Sequence, residues 1–163
     1  MPVAMKFCQE IDYELYGKRY FAIGCKNNAG GYELRNEKFK ASSSPKDITL
    51  IKNHADKLAV FEGFFYFLSY QAIYQNQDHP NTNFLILNST SFFEKSLPLM
   101  QSYKSVNLYL DCDATGQKCS QKAIALDNEK FMDESALYKN YKDLNDWAVH
   151  IGQSAKQSIN LKQ

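Results

Sequence analysis

Two stretches of the chain share one order of apolar and polar positions. Apolar and polar residues alternate from Val106 to Leu110, which predicts a β-strand that ends at Asp111 and Asp113. A second apolar run, Leu58 to Phe61, ends in the same way at Glu62. A glycine follows each acidic strand end, and apolar residues then recur at helical spacing. Each stretch therefore predicts a strand, a tight turn and a helix, with carboxylates at the strand end.

The positions beyond the two glycines support the helices. After Gly63 and Gly116, helical spacing connects Phe64, Phe67, Leu68, Gln71 and Ala72 in one stretch, and Cys119, Ala123 and Leu126 in the other. Further elements are a strand from Phe84 to Leu87, a helix that Ser91 and Glu94 would start as a capping box, a short strand near Lys130 to Met132, and a last helix from Asn145 to about Ser154. Alternating strands and helices predict an α/β fold, with a parallel sheet of about four strands covered on both faces.

The N-terminal part follows a different pattern. Met1 to Leu15 shows only a weak helical spacing, whereas RYFAIGCKNNAGGYELRN alternates on both sides of an Asn- and Gly-rich turn and predicts a β-hairpin. A Ser-rich loop with Pro45 and Lys46 follows. We therefore expect a hairpin and basic loop region over residues 1–50, and a second region over residues 51–163.

Composition limits the functional classes. The chain has 163 residues, 44% hydrophobic and 23% charged, which is typical of an ordinary globular protein. A net charge of +1 gives no strong overall attraction to nucleic acid, so any basic surface must be local. The four cysteines form no C-x-x-C pair, which disfavours a zinc site and favours reduced thiols. No stretch is apolar enough to span a membrane or to act as a signal sequence, so we expect a soluble, cytoplasmic protein.

The acidic strand ends are the candidate chemistry. Carboxylates on alternate residues of an extended segment project to the same side, and their burial requires a cation, basic partners or solvent. A D-x-D pair alone is equally typical of a solvated strand exit. The second acidic strand end, at Glu62, favours a divalent metal, because two strand ends of one α/β sheet can meet.

These residues resemble the Toprim domain, a metal-binding fold of bacterial primases, topoisomerases and some nucleases. The resemblance rests on FEG, at Glu62 and Gly63, and on LDCDATGQK, which includes Asp111 and Asp113. The stretch YKDLNDW resembles the later acidic segment of primases, with Asp143 as its first aspartate. More loosely, the hairpin and the loop after it are similar to the region that precedes Toprim in primases, at Gly30, Gly31, Arg35, Pro45 and Lys46.

The resemblance implies a Toprim (Rossmann-like) domain of a DNA primase that uses Mg²⁺ or Mn²⁺. It implies catalytic roles for Glu62, Asp111 and Asp113, which together with Asp143 would also hold the metal. By the same resemblance and by their clustering, the residues expected to bind nucleic acid or nucleotide are Arg35, Lys38, Lys40, Lys46 and Lys118. The basic cluster is also typical of a solvated face. The implied partners are single-stranded DNA, nucleoside triphosphates and a replicative helicase, with no membrane.

Two departures from primases keep other functions open. Tyr66 stands where primases carry an aspartate after the glutamate motif, and Asn145 stands where they usually carry a second late aspartate. The chain also lacks the cysteines and histidines of the N-terminal zinc-binding domain of primases, so we expect either a piece of a longer protein or a reduced relative. The alternatives are a degenerate metal- and nucleic-acid-binding module that serves replication or mobilisation of a mobile element, or a Toprim nuclease.

Overall fold

The strands form two separate sheets. The structure is a computed structural model that describes residues 3–75, 77 and 80–151. The first sheet has the order β1-β2-β3-β4 and is antiparallel throughout. Its strands are β1 (Gln9–Leu15), β2 (Lys18–Lys26), β3 (Tyr32–Arg35) and β4 (Lys40–Ser42), and a short helix, α1 (Ala4–Phe7), precedes them.

The second sheet carries the acidic strand ends. Its order is β5-β7-β6-β8-β9, and every neighbouring pair is parallel except the edge pair of β5 and β7. Its strands are β5 (Thr49–Ile51), β6 (Lys57–Phe61), β7 (Asn83–Ile86), β8 (Ser105–Tyr109) and β9 (Phe131–Asp133). Because β6 and β8 are parallel neighbours, the residues after their last positions meet at one edge of the sheet.

Helices cover both faces of this sheet. They are α2 (Phe64–Tyr74), α3 (Phe93–Gln101), α4 (Ala114–Leu126) and α5, which covers residues 144–151; short 3₁₀ turns lie at Thr90–Phe92 and Ser135–Tyr138. Alternate residues of β6 belong to two apolar clusters. Leu58 and Val60 pack in one cluster, and Ala59 and Phe61 pack in the other. The period of two explains this, because successive strand side chains point to opposite faces.

The predicted α/β fold is confirmed, including the parallel strands, the flanking helices and the N-terminal antiparallel hairpin of β2 and β3. The sheet is wider than predicted, because residues 49–51 of the expected loop pair with β7 as an antiparallel edge strand. The N-terminal helical pattern was misleading beyond Phe7. Residues 9–15 form a largely exposed edge strand, whose alternation is too polar to be distinct in the sequence.

The predicted capping box is wrong. Ser91 lies inside the 3₁₀ turn that precedes α3, and its backbone N–H donates to the Ser89 hydroxyl, which caps that turn. The N-cap of α3 itself is Phe92, which makes no side-chain cap. The strand predicted near Lys130 to Met132 is shifted by one residue, and the last helix is described only to residue 151, so its predicted end at Ser154 lies outside the described residues. Within the described part of the chain, no helix combines the length and apolar character needed to cross a membrane.

Candidate functional site

Glu62 and Asp111 meet at the carboxyl ends of β6 and β8. Phe61 lies opposite Tyr109 in the parallel pair, so the residues that follow these two positions leave the same edge of the sheet. The backbone N–H of Asp111 donates a hydrogen bond to Oε2 of Glu62 at 3.3 Å. The two predicted acidic motifs are therefore adjacent, as the shared pattern of strand, acid and glycine predicts.

Burial and neighbouring carboxylates raise the pKa values of both Glu62 and Asp111. Burial, and then the nearby Asp111 carboxylate, raise the pKa of Glu62 to about 7, although the hydrogen bond from Asp111 and the charge of Lys40 oppose this. Burial also raises the pKa of Asp111, with Asp143 and Asp113 adding to the shift and a hydrogen bond from Tyr66 opposing it. A bound cation would offset both the burial of these carboxylates and the repulsion from their acidic neighbours.

The two oxygens of Asp111 differ in their surroundings. Oδ2 accepts a hydrogen bond from the Tyr66 hydroxyl at 3.4 Å. Oδ1 is buried and has no hydrogen-bond partner among the described residues. An unpaired buried carboxylate oxygen is costly, and this one belongs to a residue that lines a cleft. Asp111 therefore fits a metal or a hydrogen-bond donor that enters from the cleft.

Asp113 has a structural role that the sequence did not reveal. It is the N-cap of α4, and its Oδ1 accepts hydrogen bonds from the backbone N–H groups of Thr115 and Gly116, both at 2.9 Å. A Cβ on Gly116 would overlap the carbonyl oxygen of Asp111 and lie 2.9 Å from its nitrogen, so only glycine allows this approach. The spacing of Asp111, Asp113 and Gly116 thus builds a tight turn and leaves only Oδ2 of Asp113 outside the cap.

The cleft in front of these residues measures about 390 Å³ and contains a third acidic group. Asp143 is buried, lines the cleft with Glu62 and Asp111, and accepts a hydrogen bond from the Asp146 N–H at 2.8 Å. The Cys112 N–H donates to the Lys142 carbonyl at 3.2 Å, which ties this segment to the Asp111 turn. The predicted late acidic segment therefore reaches the site, whereas the exposed Asp113 is not among the residues that line the cleft.

The predicted basic residues divide into groups. Arg35 and Lys40 line the cleft, and Lys38 lines an adjoining groove that also contains Arg35. Lys46 and Lys118 are exposed, and neither belongs to the described residues that line the cleft or the groove. The loop that contains Pro45 packs closely against Gly31, because a Cβ at position 31 would overlap the Pro45 carbonyl oxygen.

Among the residues of the cleft that sequence reasoning missed, Lys142 and Asn88 bear most on its chemistry. Lys142 adds a third cation beside Arg35 and Lys40, and its position directly before Asp143 was the available signal. Asn88 follows β7 with a positive φ of 63°, and its Nδ2 donates to the Asp47 carbonyl and to Thr49 Oγ1. Its Oδ1 is a second buried oxygen without a partner in the described part of the chain. Only its place at a strand end could have indicated it.

The donor set suits a partial metal site. Within the described residues, no group of three or more carboxylate, imidazole or thiol side chains is arranged to hold a metal ion by itself. Mg²⁺ is commonly bound through one or two carboxylates, with waters and substrate phosphates completing its ligands. Glu62 and Asp111 fit that arrangement, and the three nearby cations would suit phosphate oxygens.

The comparisons with known proteins agree with this geometry. A family described as Toprim-like matches residues 59–148, and a family described as a domain of unknown function (DUF8464) matches residues 1–44. No curated protein sequence matches significantly.

Two solved structures from bacteriophage T7 have a similar fold. One is the primase fragment of the primase-helicase protein, with a TM-score of 0.57 and 17% identity over 93% of this chain. The other is the lagging-strand DNA polymerase interacting with primase domains of two subunits bound to an RNA/DNA hybrid and dTTP, and it matches with a TM-score of 0.54 and 14% identity over 98% of this chain. The matches cover 65% and 84% of those chains, so this chain spans just under two thirds of the first.

The family match and the two structural matches identify the same fold. The Toprim-like match covers more than half of the chain and includes Glu62, Asp111 and Asp143. The chain belongs to the Toprim-like family and has the fold of a primase-like Toprim domain.

Proposed function

We propose that this chain is the metal-dependent core of a primase-like protein, which joins nucleotides into an RNA primer on single-stranded DNA. The observation that carries the proposal is the contact between Glu62 and Asp111, beside a buried Asp111 oxygen that lacks a partner. We assign the metal, Mg²⁺ or Mn²⁺, to these two residues, with Asp143 and the free oxygen of Asp113 in supporting positions.

Each side chain has a separate task in this proposal. The bound metal would neutralise phosphate charge and orient the reacting oxygens. In the metal-free chain Glu62 has a pKa of about 7, so near neutral pH it would either release its proton and ligate the metal or accept a proton from the reacting nucleotide. Arg35, Lys40 and Lys142 line the same cleft and would bind the anionic phosphates of a nucleoside triphosphate.

A second candidate is a binding module that holds metal and nucleic acid without polymerising nucleotides. Two observations favour it: Tyr66 occupies the place of the expected aspartate and donates to Asp111, and one oxygen of Asp113 is used in the α4 cap. Both reduce the number of carboxylate oxygens available for a second metal. In this second candidate, Glu62 and Asp111 would still bind the metal, but the chain would not join nucleotides.

The partners and the region boundary are part of the proposal. The T7 match includes primase domains bound to an RNA/DNA hybrid and dTTP, which supports single-stranded DNA and nucleoside triphosphates as partners here. The T7 primase-helicase supports a replicative helicase as a further partner. The two family matches, at residues 1–44 and 59–148, support a boundary near residue 50.

Two measurements test the proposal. Thermal melts with and without Mg²⁺ or Mn²⁺ should show a metal-induced rise in Tm for the parent chain and none for Asp111→Asn, because binding to the folded state stabilises it by mass action. Asp56→Asn is the matched control, since Asp56 is an exposed partner of Lys104 and precedes the first residue of β6, whereas Glu62 follows the last. Equal shifts in the parent and in Asp111→Asn would contradict the metal site.

The second measurement separates the two candidates. Labelled nucleoside triphosphates and a single-stranded DNA template should yield short primers with the parent chain, and none with Asp111→Asn. A metal-induced rise in Tm without any primer would support the binding module. Cleavage of the template in place of primer synthesis would indicate the nuclease alternative.

A further inference from the structure

A second cavity adjoins the acidic cleft and differs from it in character. It is an open groove of about 870 Å³ between the N-terminal sheet and the start of α2. Its lining is mainly aromatic and basic, with Phe21, Phe39 and Phe65 beside Arg19, Arg35 and Lys38. Its volume lies within the range of about 300–1,000 Å³ that is usual for ligand sites.

The strand register explains how the groove leads to the cleft. Ile23 on β2 lies opposite Arg35 on β3, and Arg35 lies opposite Lys40 on β4, so the three side chains form one row on one face of the sheet. Phe21 lies two residues before Ile23 and belongs to the same face. The row begins in the groove and ends at Lys40, which lines the cleft with Glu62.

The junction between groove and cleft is a cation–π pair. The guanidinium carbon of Arg35 lies 5.1 Å from the centre of the Phe65 ring, and both residues line both cavities. Phe21 is 47% exposed although it is a large apolar residue on a strand. An exposed aromatic ring beside a row of basic residues is complementary to a partner with both a flat apolar face and negative charge.

We propose that this groove binds single-stranded nucleic acid, with an unpaired base stacked on Phe21 and the adjoining phosphates directed toward Arg35 and Lys40. The inference rests on the proposed function for the phosphate chemistry of the cleft, and it adds a binding site that no acidic motif indicates. Three cations against one carboxylate, Glu37, give the groove the charge that a phosphate backbone needs. Aromatic faces bind bases of any sequence, so the site should select unpaired strands rather than a sequence.

The test measures binding of a labelled oligo-dT by fluorescence anisotropy for the parent, Phe21→Ala and Tyr16→Ala. Tyr16 is 95% exposed in the turn between β1 and β2, outside the residues that line the groove, and is the matched aromatic control. Phe21→Ala should bind about fivefold or more weakly, because base stacking is worth roughly 1–3 kcal/mol per base. Tyr16→Ala should bind like the parent.

Two further arms separate stacking from charge. An abasic oligonucleotide of the same length should bind the parent and Phe21→Ala equally, because it has the phosphates but no bases. Phe21→Ala should keep the salt dependence of the parent on oligo-dT, whereas Lys38→Gln should reduce the slope of log K against log salt by about 0.7.

Several results would overturn the inference. Equal oligo-dT affinity in Phe21→Ala and Tyr16→Ala would exclude stacking at this position, and no binding by the parent would exclude the strand itself. If Phe21→Ala weakened the binding of a fluorescent nucleoside triphosphate but left oligo-dT binding unchanged, the groove would be a mononucleotide site. The metal-induced rise in Tm tests the proposed function separately, since neither aromatic variant changes a carboxylate of the cleft.

Discussion

Replacing Glu62 with glutamine should stabilise the metal-free chain at alkaline pH and leave it almost unchanged at acidic pH. The pKa of Glu62 is about 7, above its ordinary value of 4.5, so the folded state binds more protons than the unfolded state between these two values. Stability that is present below about pH 4.5 is therefore lost as the pH rises through about 7. Glutamine carries no charge at any of these pH values and avoids this loss.

The magnitude follows from the two pKa values. The interval between 4.5 and about 7 corresponds to at most about 3–4 kcal/mol, since one pH unit corresponds to 1.36 kcal/mol. Glu62 is only partly buried, so screening by solvent reduces the expected gain in unfolding free energy to about 1–2 kcal/mol. For a chain of this size, that gain raises Tm by roughly 2–8 °C.

The assay is a set of thermal melts in EDTA from pH 4.5 to pH 8.5. The difference in Tm between Glu62→Gln and the parent should grow over this range and level off above about pH 8. Glu129→Gln, on the exposed loop after α4, is the matched control and should follow the parent. A Glu62→Gln curve that runs parallel to the parent at every pH would refute the raised pKa of Glu62.

Two further predictions concern the turn after β8. Gly116→Ala should lower the unfolding free energy in urea by about 2–4 kcal/mol, because its Cβ would overlap the Asp111 carbonyl. Gly63→Ala is the control and should cost clearly less, because its Cβ would lie 3.7 Å from Tyr66. Equal losses in the two variants would contradict the close approach at Gly116. Asp113→Ala should cost about 1 kcal/mol through loss of the α4 cap, whereas Asp113→Asn should retain most of that stability, since asparagine also caps helices. If Asp113→Asn lost as much stability as Asp113→Ala, the charge rather than the cap would be the cause.

The sequence predicted the part of the site that depends on strand order. Glu62 and Asp111 each follow an apolar strand, and parallel pairing alone brings such positions together, so their contact could be expected from the pattern. Asp143 could be placed only by the resemblance to primases, because it follows no strand of the sheet. Its position is fixed by the backbone hydrogen bond between Cys112 and Lys142.

Other features depend on contacts that the pattern does not encode. The edge strand at residues 49–51 is too short to be distinct from a loop, and its pairing with β7 defines it. The cap formed by Asp113 depends on the local turn geometry, and the bond from Tyr66 to Asp111 depends on how α2 packs beside the end of β8. The groove at Phe21 arises where the N-terminal sheet meets the start of α2, so no single stretch of sequence could reveal it.

Direct titration with Mn²⁺, followed by electron paramagnetic resonance of the free ion, tests the central claim that Glu62 and Asp111 form a divalent metal site. The parent chain and Asp56→Asn should each bind Mn²⁺ with the same affinity, and binding should strengthen as the pH rises through about 7, where Glu62 loses its proton. Asp111→Asn and Glu62→Gln should each lose that site. Identical binding curves for the parent and for both of these variants would contradict the account.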